Sequence, residues 1–140
     1  MTKLIIQIPC FNEAETLPDV LAELPRTIPG IAVIETLVID DGSTDATAQV
    51  AEASGANYLL RFPVNQGLAQ AFSAGLDAAL KLGADIIVNT DADQQYKGSD
   101  IARLVQPILD GHADMVIGDR APHLNPRFGF MKRRLQKVGS

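Results

Sequence analysis

Four short apolar runs, rich in β-branched residues and each closed by a polar turn, limit what this 140-residue chain can fold into. They are KLIIQIPCF from Lys3, AVIETLVID from Ala32, ANYLLRF from Ala56 and ADIIVN from Ala84, and ADMVIGDR from Ala113 reads as a fifth. Such runs read as strands covered on both faces, because a strand with one wet face would alternate apolar and polar residues. Helical patterns separate them. TLPDVLAEL places Thr16 as an N-cap, with Asp19 at the capping-box spacing. STDATAQVAEAS is opened by Ser43 or Thr44 and closed by Gly55. GLAQAFSAGLDAALKL sets Leu68, Phe72, Leu76 and Leu80 on one face. SDIARLVQPILD carries an apolar stripe of Ile101, Leu104, Val105, Ile108 and Leu109. The last segment, NPRFGFMKRRLQKVGS, reads as a basic amphipathic helix. Strands alternating with single helices predict an α/β chain with a mainly parallel sheet and helices on both faces. Crossovers in such sheets are right-handed, and ligands bind beyond the carboxyl ends of the strands.

Those ends are where this chain concentrates its chemistry. The first strand runs into Pro9-Cys10-Phe11-Asn12-Glu13 and the second into Asp40-Asp41-Gly42-Ser43. The third leads to Asn65-Gln66-Gly67, the fourth to Asp91-Ala92-Asp93-Gln94-Gln95, and the fifth to Gly118-Asp119-Arg120. Carboxylates gathered at one sheet edge repel one another unless a cation or hydrogen-bond donors offset them. Residues two apart in an extended segment point to the same side, so Asp91 and Asp93 can reach one hard cation, with Gln95 as a further oxygen donor. Alone, Asp-x-Asp is as well explained by a polar turn; placed after an apolar strand, among other acids, it reads as a metal site. Oxygen donors suit Mg2+ or Mn2+, and the lack of nearby His and Cys ligands argues against zinc. Asp40 and Asp41 divide between stabilising a loop and accepting hydrogen bonds from a ribose or base. Gly67 is either a turn glycine or a helix start whose N–H groups face a diphosphate. Arg120 either balances phosphate charge or pairs with Asp119. Cys10 reads as a packed small residue, not a nucleophile.

The totals exclude several classes. One cysteine rules out an internal disulfide, and no run reaches the length of a membrane helix, which points to a chain in the cytoplasm. All 17 acids and seven of the 12 basic residues lie in positions 1–120, leaving that part at −10 and the last twenty residues at +5. An acidic body argues against nucleic acid as a partner, while Arg127, Lys132, Arg133, Arg134 and Lys137 form a basic tail able to meet an anionic surface.

Taken in order, IPCFNEAETL, VIDDGSTDAT, NQGLAQAFSAGL, NTDADQQY and IGDR resemble the family 2 glycosyltransferases, and look most like the polyprenyl-phosphate hexosyltransferases. The resemblance implies a GT-A fold, a nucleotide-diphosphate sugar donor of the GDP-mannose or UDP-glucose type, a divalent metal and inversion at the anomeric carbon. By motif, Pro9, Phe11 and Glu13 would line the nucleotide pocket and Asp41 would contact base or ribose. Asp91 and Asp93 would hold metal and diphosphate with Gln95 assisting, and Arg120 would lie near a phosphate. Lys97 and Gly98 stand where relatives often carry prolines. Family catalytic domains also continue further, with acceptor contacts and the acid that activates the acceptor. Residues 1–120 would then be a nucleotide-sugar-binding core, and 121–140 a basic segment leading towards the acceptor part. The acceptor class implied is a lipid phosphate, which would place the protein peripherally at the cytoplasmic membrane. A non-catalytic nucleotide-sugar-binding module is the alternative. A sugar-phosphate nucleotidyltransferase fits less well, because PCFNEAE lacks the Gly-rich basic loop that such enzymes place after the first strand.

Overall fold

The computed structural model describes residues 2–90, 92, 98–109, 115–119 and 127–132. The elements run β1 (Lys3–Cys10), α1 (Leu17–Glu23), β2 (Val33–Asp40), α2 (Thr47–Ala53), β3 (Tyr58–Arg61) and α3 (Leu68–Lys81). They continue with β4 (Ile86–Asn89), α4 (Gly98–Leu109), β5 (Met115–Asp119) and β6 (Arg127–Lys132). Six strands form one sheet in the order β3-β2-β1-β4-β6-β5. The pairs β1–β2, β1–β4 and β2–β3 are parallel, whereas β6 is antiparallel to both β4 and β5. The expected mainly parallel α/β sheet is therefore present, with one reversed strand.

That reversed strand corrects the reading of the C-terminal segment. Residues 127–132 are not part of a basic amphipathic helix; they form β6, threaded between β4 and β5. The reason is legible afterwards: Gly129 between Phe128 and Phe130 disfavours helix, and aromatics at alternate positions suit a strand. The strands on either side of residue 120, β5 and β6, pair with each other.

The core lies on both sides of β1, whose Leu4, Ile5, Ile6 and Ile8 are completely buried. On one face Leu4, Ile6, Ile8 and Cys10 pack with Leu17 and Val20 of α1, Ala51 of α2, and Ile101 and Val105 of α4. On the other, Ile5, Leu37, Ile39 and Ile87 meet Ala71 and Ala79 of α3. The line of α3 closest to the sheet is thus Ala71, Gly75 and Ala79, not the expected leucine stripe. Leu76 and Leu80 flank it half-buried, and Leu68 is exposed. Small residues let the helix axis approach. A Cβ on Gly75 would fall 2.7 Å from Gln7 Oε1 and 2.9 Å from Ile39 Cδ1.

Gln7 is the polar exception in the buried run of β1. It is fully buried, and its side-chain amide donates to Asn89 Oδ1 at 3.0 Å and to the Phe72 carbonyl at 3.3 Å. The amide so joins β1, β4 and α3, which the apolar appearance of β1 had concealed. Pro9 lies beyond the last β1–β4 rung, Gln7 with Asn89, so its missing N–H breaks no ladder there.

Candidate functional site

The carboxyl ends of β1 and β2 open into a cleft of about 440 Å³ lined by Pro9, Phe11, Glu13, Asp41, Leu68 and Ala92, with Cys10, Asn65, Gly67 and Ala71 completing the wall. Four predicted contact residues, Pro9, Phe11, Glu13 and Asp41, thus share one site. Asp91, Asp93, Gln95 and Arg120 lie outside the described residues.

The loops after β1 and β2 are knitted together beside the cleft. Asn12 takes a left-handed backbone conformation, φ +53°, a region that asparagine tolerates better than most residues. Its side-chain oxygen accepts the Thr44 N–H at 2.8 Å and the Asp45 N–H at 3.3 Å, and its own N–H donates to Ser43 Oγ at 2.9 Å. The Glu13 N–H donates to Thr47 Oγ1 at 2.9 Å, and the Ala14 N–H to Asp45 Oδ2 at 3.3 Å. Ser43 and Thr44 are therefore occupied across the loops, and helix α2 begins later than expected, at Thr47 with no side-chain cap. The Thr47 hydroxyl, also bonded to the Asp45 carboxylate, holds that carboxyl below the usual aspartate range, helped by backbone N–H groups. Asn12 was passed over in the sequence; its place between Phe11 and Glu13 was the available signal.

Asp40 and Asp41 are both buried, and both brace loops. Asp40 accepts the Ser43 N–H at 3.0 Å and lies 3.4 Å from Arg61 Nε. Asp41 Oδ1 accepts the Gln66 N–H at 2.7 Å, while Oδ2 accepts the Gly67 N–H at 3.0 Å and Asn65 Nδ2 at 3.1 Å. One carboxylate thus organises the turn entering α3. Two N–H groups at that turn, those of Gln66 and Gly67, are bound to Asp41, so a diphosphate arriving there would meet the later N–H groups of the first helical turn. Gly42 makes the arrangement possible. Its φ is +72°, and a Cβ there would lie 2.3 Å from both Asn65 N and the Val64 carbonyl carbon.

Cys10 lies on the cleft wall but only 3% exposed, with its Sγ 3.4 Å from the Ile8 carbonyl oxygen. Burial pushes its thiol well above the usual range, and the charges of Glu13, Asp40 and Asp45 add to this. It is therefore protonated at neutral pH and inert, as the sequence suggests. Maleimide at pH 7.5 is expected to label the native chain far more slowly than the chain in denaturant; equal rates would show an open thiol.

Ala92 is the described residue of the Asp-Ala-Asp motif. It is 3% exposed, and its carbonyl accepts a hydrogen bond from Thr16 Oγ1 at 2.8 Å. Among the described residues no three His, Cys, Asp or Glu side chains gather into a metal site. The polar groups of the cleft are nonetheless carboxylate, amide and carbonyl oxygens beside a protonated thiol, a donor chemistry that fits a hard divalent cation and not zinc.

Residues 5–138 match the glycosyl transferase family 2. The chain belongs to that family. It is 35% identical over 117 residues to the undecaprenyl-phosphate mannosyltransferase of Micrococcus luteus, covering 81% of this chain and 46% of that protein. It is 31% identical over 121 residues to the polyprenol monophosphomannose synthase of Mycolicibacterium smegmatis, covering 83% and 44%. This family 2 chain thus spans a little under half the length of these curated relatives. Among solved structures, glucosyl-3-phosphoglycerate synthase from Mycobacterium tuberculosis, crystallised with Mn2+, UDP and glucosyl-3-phosphoglycerate, superposes with a TM-score of 0.64. The identity is 29%, over 77% of this chain and 40% of that one. The same synthase has been crystallised with Mg2+ and UDP. The architecture of this family 2 member is accordingly GT-A. Among the described residues no helix is long and apolar enough to cross a membrane.

Proposed function

We propose that this chain is the donor-binding part of a glycosyltransferase that moves a hexose from a nucleotide-diphosphate sugar to a polyprenyl phosphate, with inversion and with Mg2+ or Mn2+. The observation that carries the reading is the convergence of Pro9, Phe11, Glu13 and Asp41 on one cleft whose far wall is Ala92, the centre of the Asp-Ala-Asp motif. In this reading the exposed ring of Phe11 and the apolar Leu68 receive the nucleoside. Glu13 accepts hydrogen bonds from its hydroxyl or N–H groups, and Asp41 holds the 65–67 turn against it. Asp91 and Asp93, with Gln95, would hold the cation, whose contribution is to offset negative charge on the departing diphosphate. Arg120 would stand near a phosphate.

The lipid-phosphate acceptor is supported by the two mannosyltransferase relatives. The reading includes membrane recruitment through Arg127, Lys132, Arg133, Arg134 and Lys137, of which Arg127 and Lys132 are the end residues of β6. A non-catalytic nucleotide-sugar-binding module is the second reading, since the described cleft residues Pro9, Phe11, Glu13 and Asp41 would serve donor binding alone.

Calorimetric titration with UDP and with GDP, each with and without Mn2+, tests the donor site. One nucleotide is expected to bind in a metal-dependent manner, and an Asp91→Ala, Asp93→Ala double variant to lose that dependence. Binding of neither nucleotide by the folded chain, or undiminished metal dependence in the variant, would refute the assignment. Turnover of the matching nucleotide sugar with a polyprenyl phosphate separates the transferase from the binding module.

A further inference from the structure

Thr16 occupies the N-cap of α1 yet makes no capping bond. One customary recipient is missing, because the second helical residue, Pro18, has no N–H. The hydroxyl turns across the cleft instead. Its oxygen lies 2.8 Å from the carbonyl oxygen of Ala92, 2.9 Å from Glu13 Oε2 and 3.4 Å from the Glu13 carbonyl. A hydroxyl has a single proton to give. Three acceptors therefore surround one donor, and the shortest distance is to a residue 76 positions away in sequence. The other end of the same segment is held from β1, where the Thr90 N–H donates to the Gln7 carbonyl at 3.1 Å. Between these two anchors stands residue 91, and directly after the second stands residue 93.

We propose that Thr16 is a positioning residue for the metal-binding motif: its hydroxyl pins the Ala92 carbonyl to the start of α1 and so fixes the backbone at the centre of Asp-Ala-Asp. This rests on reading Asp91 and Asp93 as the metal ligands. The pin also links the two sides of the cleft, since the same hydroxyl touches Glu13. A nucleoside that engages Glu13 leaves the Thr16 proton to Ala92, and the acidic segment is then held most firmly when donor is present.

The test compares Thr16→Val, which keeps the shape and removes the proton, with Thr16→Ser, which restores the hydroxyl. In the ligand-free full chain, hydrogen exchange over residues 90–95 is expected to quicken roughly fivefold in the valine variant, the scale of one net hydrogen bond. Exchange in α3 and the thermal midpoint should stay at wild-type values. Mn2+ affinity measured with UDP or GDP present is expected to fall by a similar factor, and serine should recover both readouts. Unchanged exchange over 90–95 in the valine variant would overturn the pin, as would a uniform rise across the chain. Wild-type Mn2+ binding that the valine variant leaves intact would overturn the positioning role alone. Failure of the wild type to bind Mn2+ with either nucleotide would overturn the metal reading, and this role with it.

Discussion

Replacing Gly42 with alanine is expected to cost about 3 kcal/mol of stability, from a left-handed backbone that resists a Cβ and from the clash that the new methyl creates. The obstructing atoms, Asn65 N and the Val64 carbonyl carbon, both at 2.3 Å, belong to the backbone and have no rotamer through which to escape. Relief requires the 64–67 segment to move away from β2, and that segment forms one wall of the cleft. Loss of stability and loss of nucleotide affinity should therefore appear together. A urea titration reads the first as a lower midpoint with an unchanged slope. A midpoint within error of wild type would mean that the two loops are not in contact in solution.

Asp41→Ala should be nearly as damaging. Its buried carboxylate accepts the N–H groups of Gln66 and Gly67 and the amide of Asn65, so truncation strands three donors. Leaving such donors unpaired costs on the order of 3 kcal/mol, after allowing for water reaching part of the cleft. Asp41→Asn should fall between the two, since one amide oxygen remains while an NH2 group faces other donors. Denaturant midpoints and nucleotide affinities measured on the same variants separate bracing from direct contact. Bracing lowers both quantities in step, whereas a residue that only touches the ligand lowers affinity at constant stability. Wild-type stability in Asp41→Ala would refute the bracing role.

The sequence foretold the parallel half of the sheet because runs such as LIIQI and LVI can be satisfied only by burial on both faces. It foretold the cleft because strand direction gathers Glu13 and Asp41 at one edge. Three features escaped, each for a local reason. The α2 start was misplaced because Ser43 and Thr44 have the chemistry of caps but spend it on Asn12. The α3 contact line was misjudged because leucines are the stronger apolar signal, whereas close approach to a sheet selects Ala71, Gly75 and Ala79. Strand β6 was hidden beneath the charge of its flanks, and nothing local in Arg127–Lys132 specifies β4 as a partner, with Asn89 opposite Gly129. Of the site, the described contacts were legible as positions but not as roles. Asp41 proved to hold a turn, and Asn12 carried the loop junction without having been suspected.

The placement of β6 also dictates an order of assembly. Strands β3, β2, β1 and β4 pair using only residues before position 90. Strand β5 emerges next, and among the described strands its neighbour is β6. During synthesis it must wait, with β4 presenting an open edge, until residues 127–132 leave the ribosome and slot between them. That interval exposes unpaired backbone of the kind that recruits other chains. Any aggregation from this edge is therefore expected in that interval, before the six residues of β6 pair with β4 and β5.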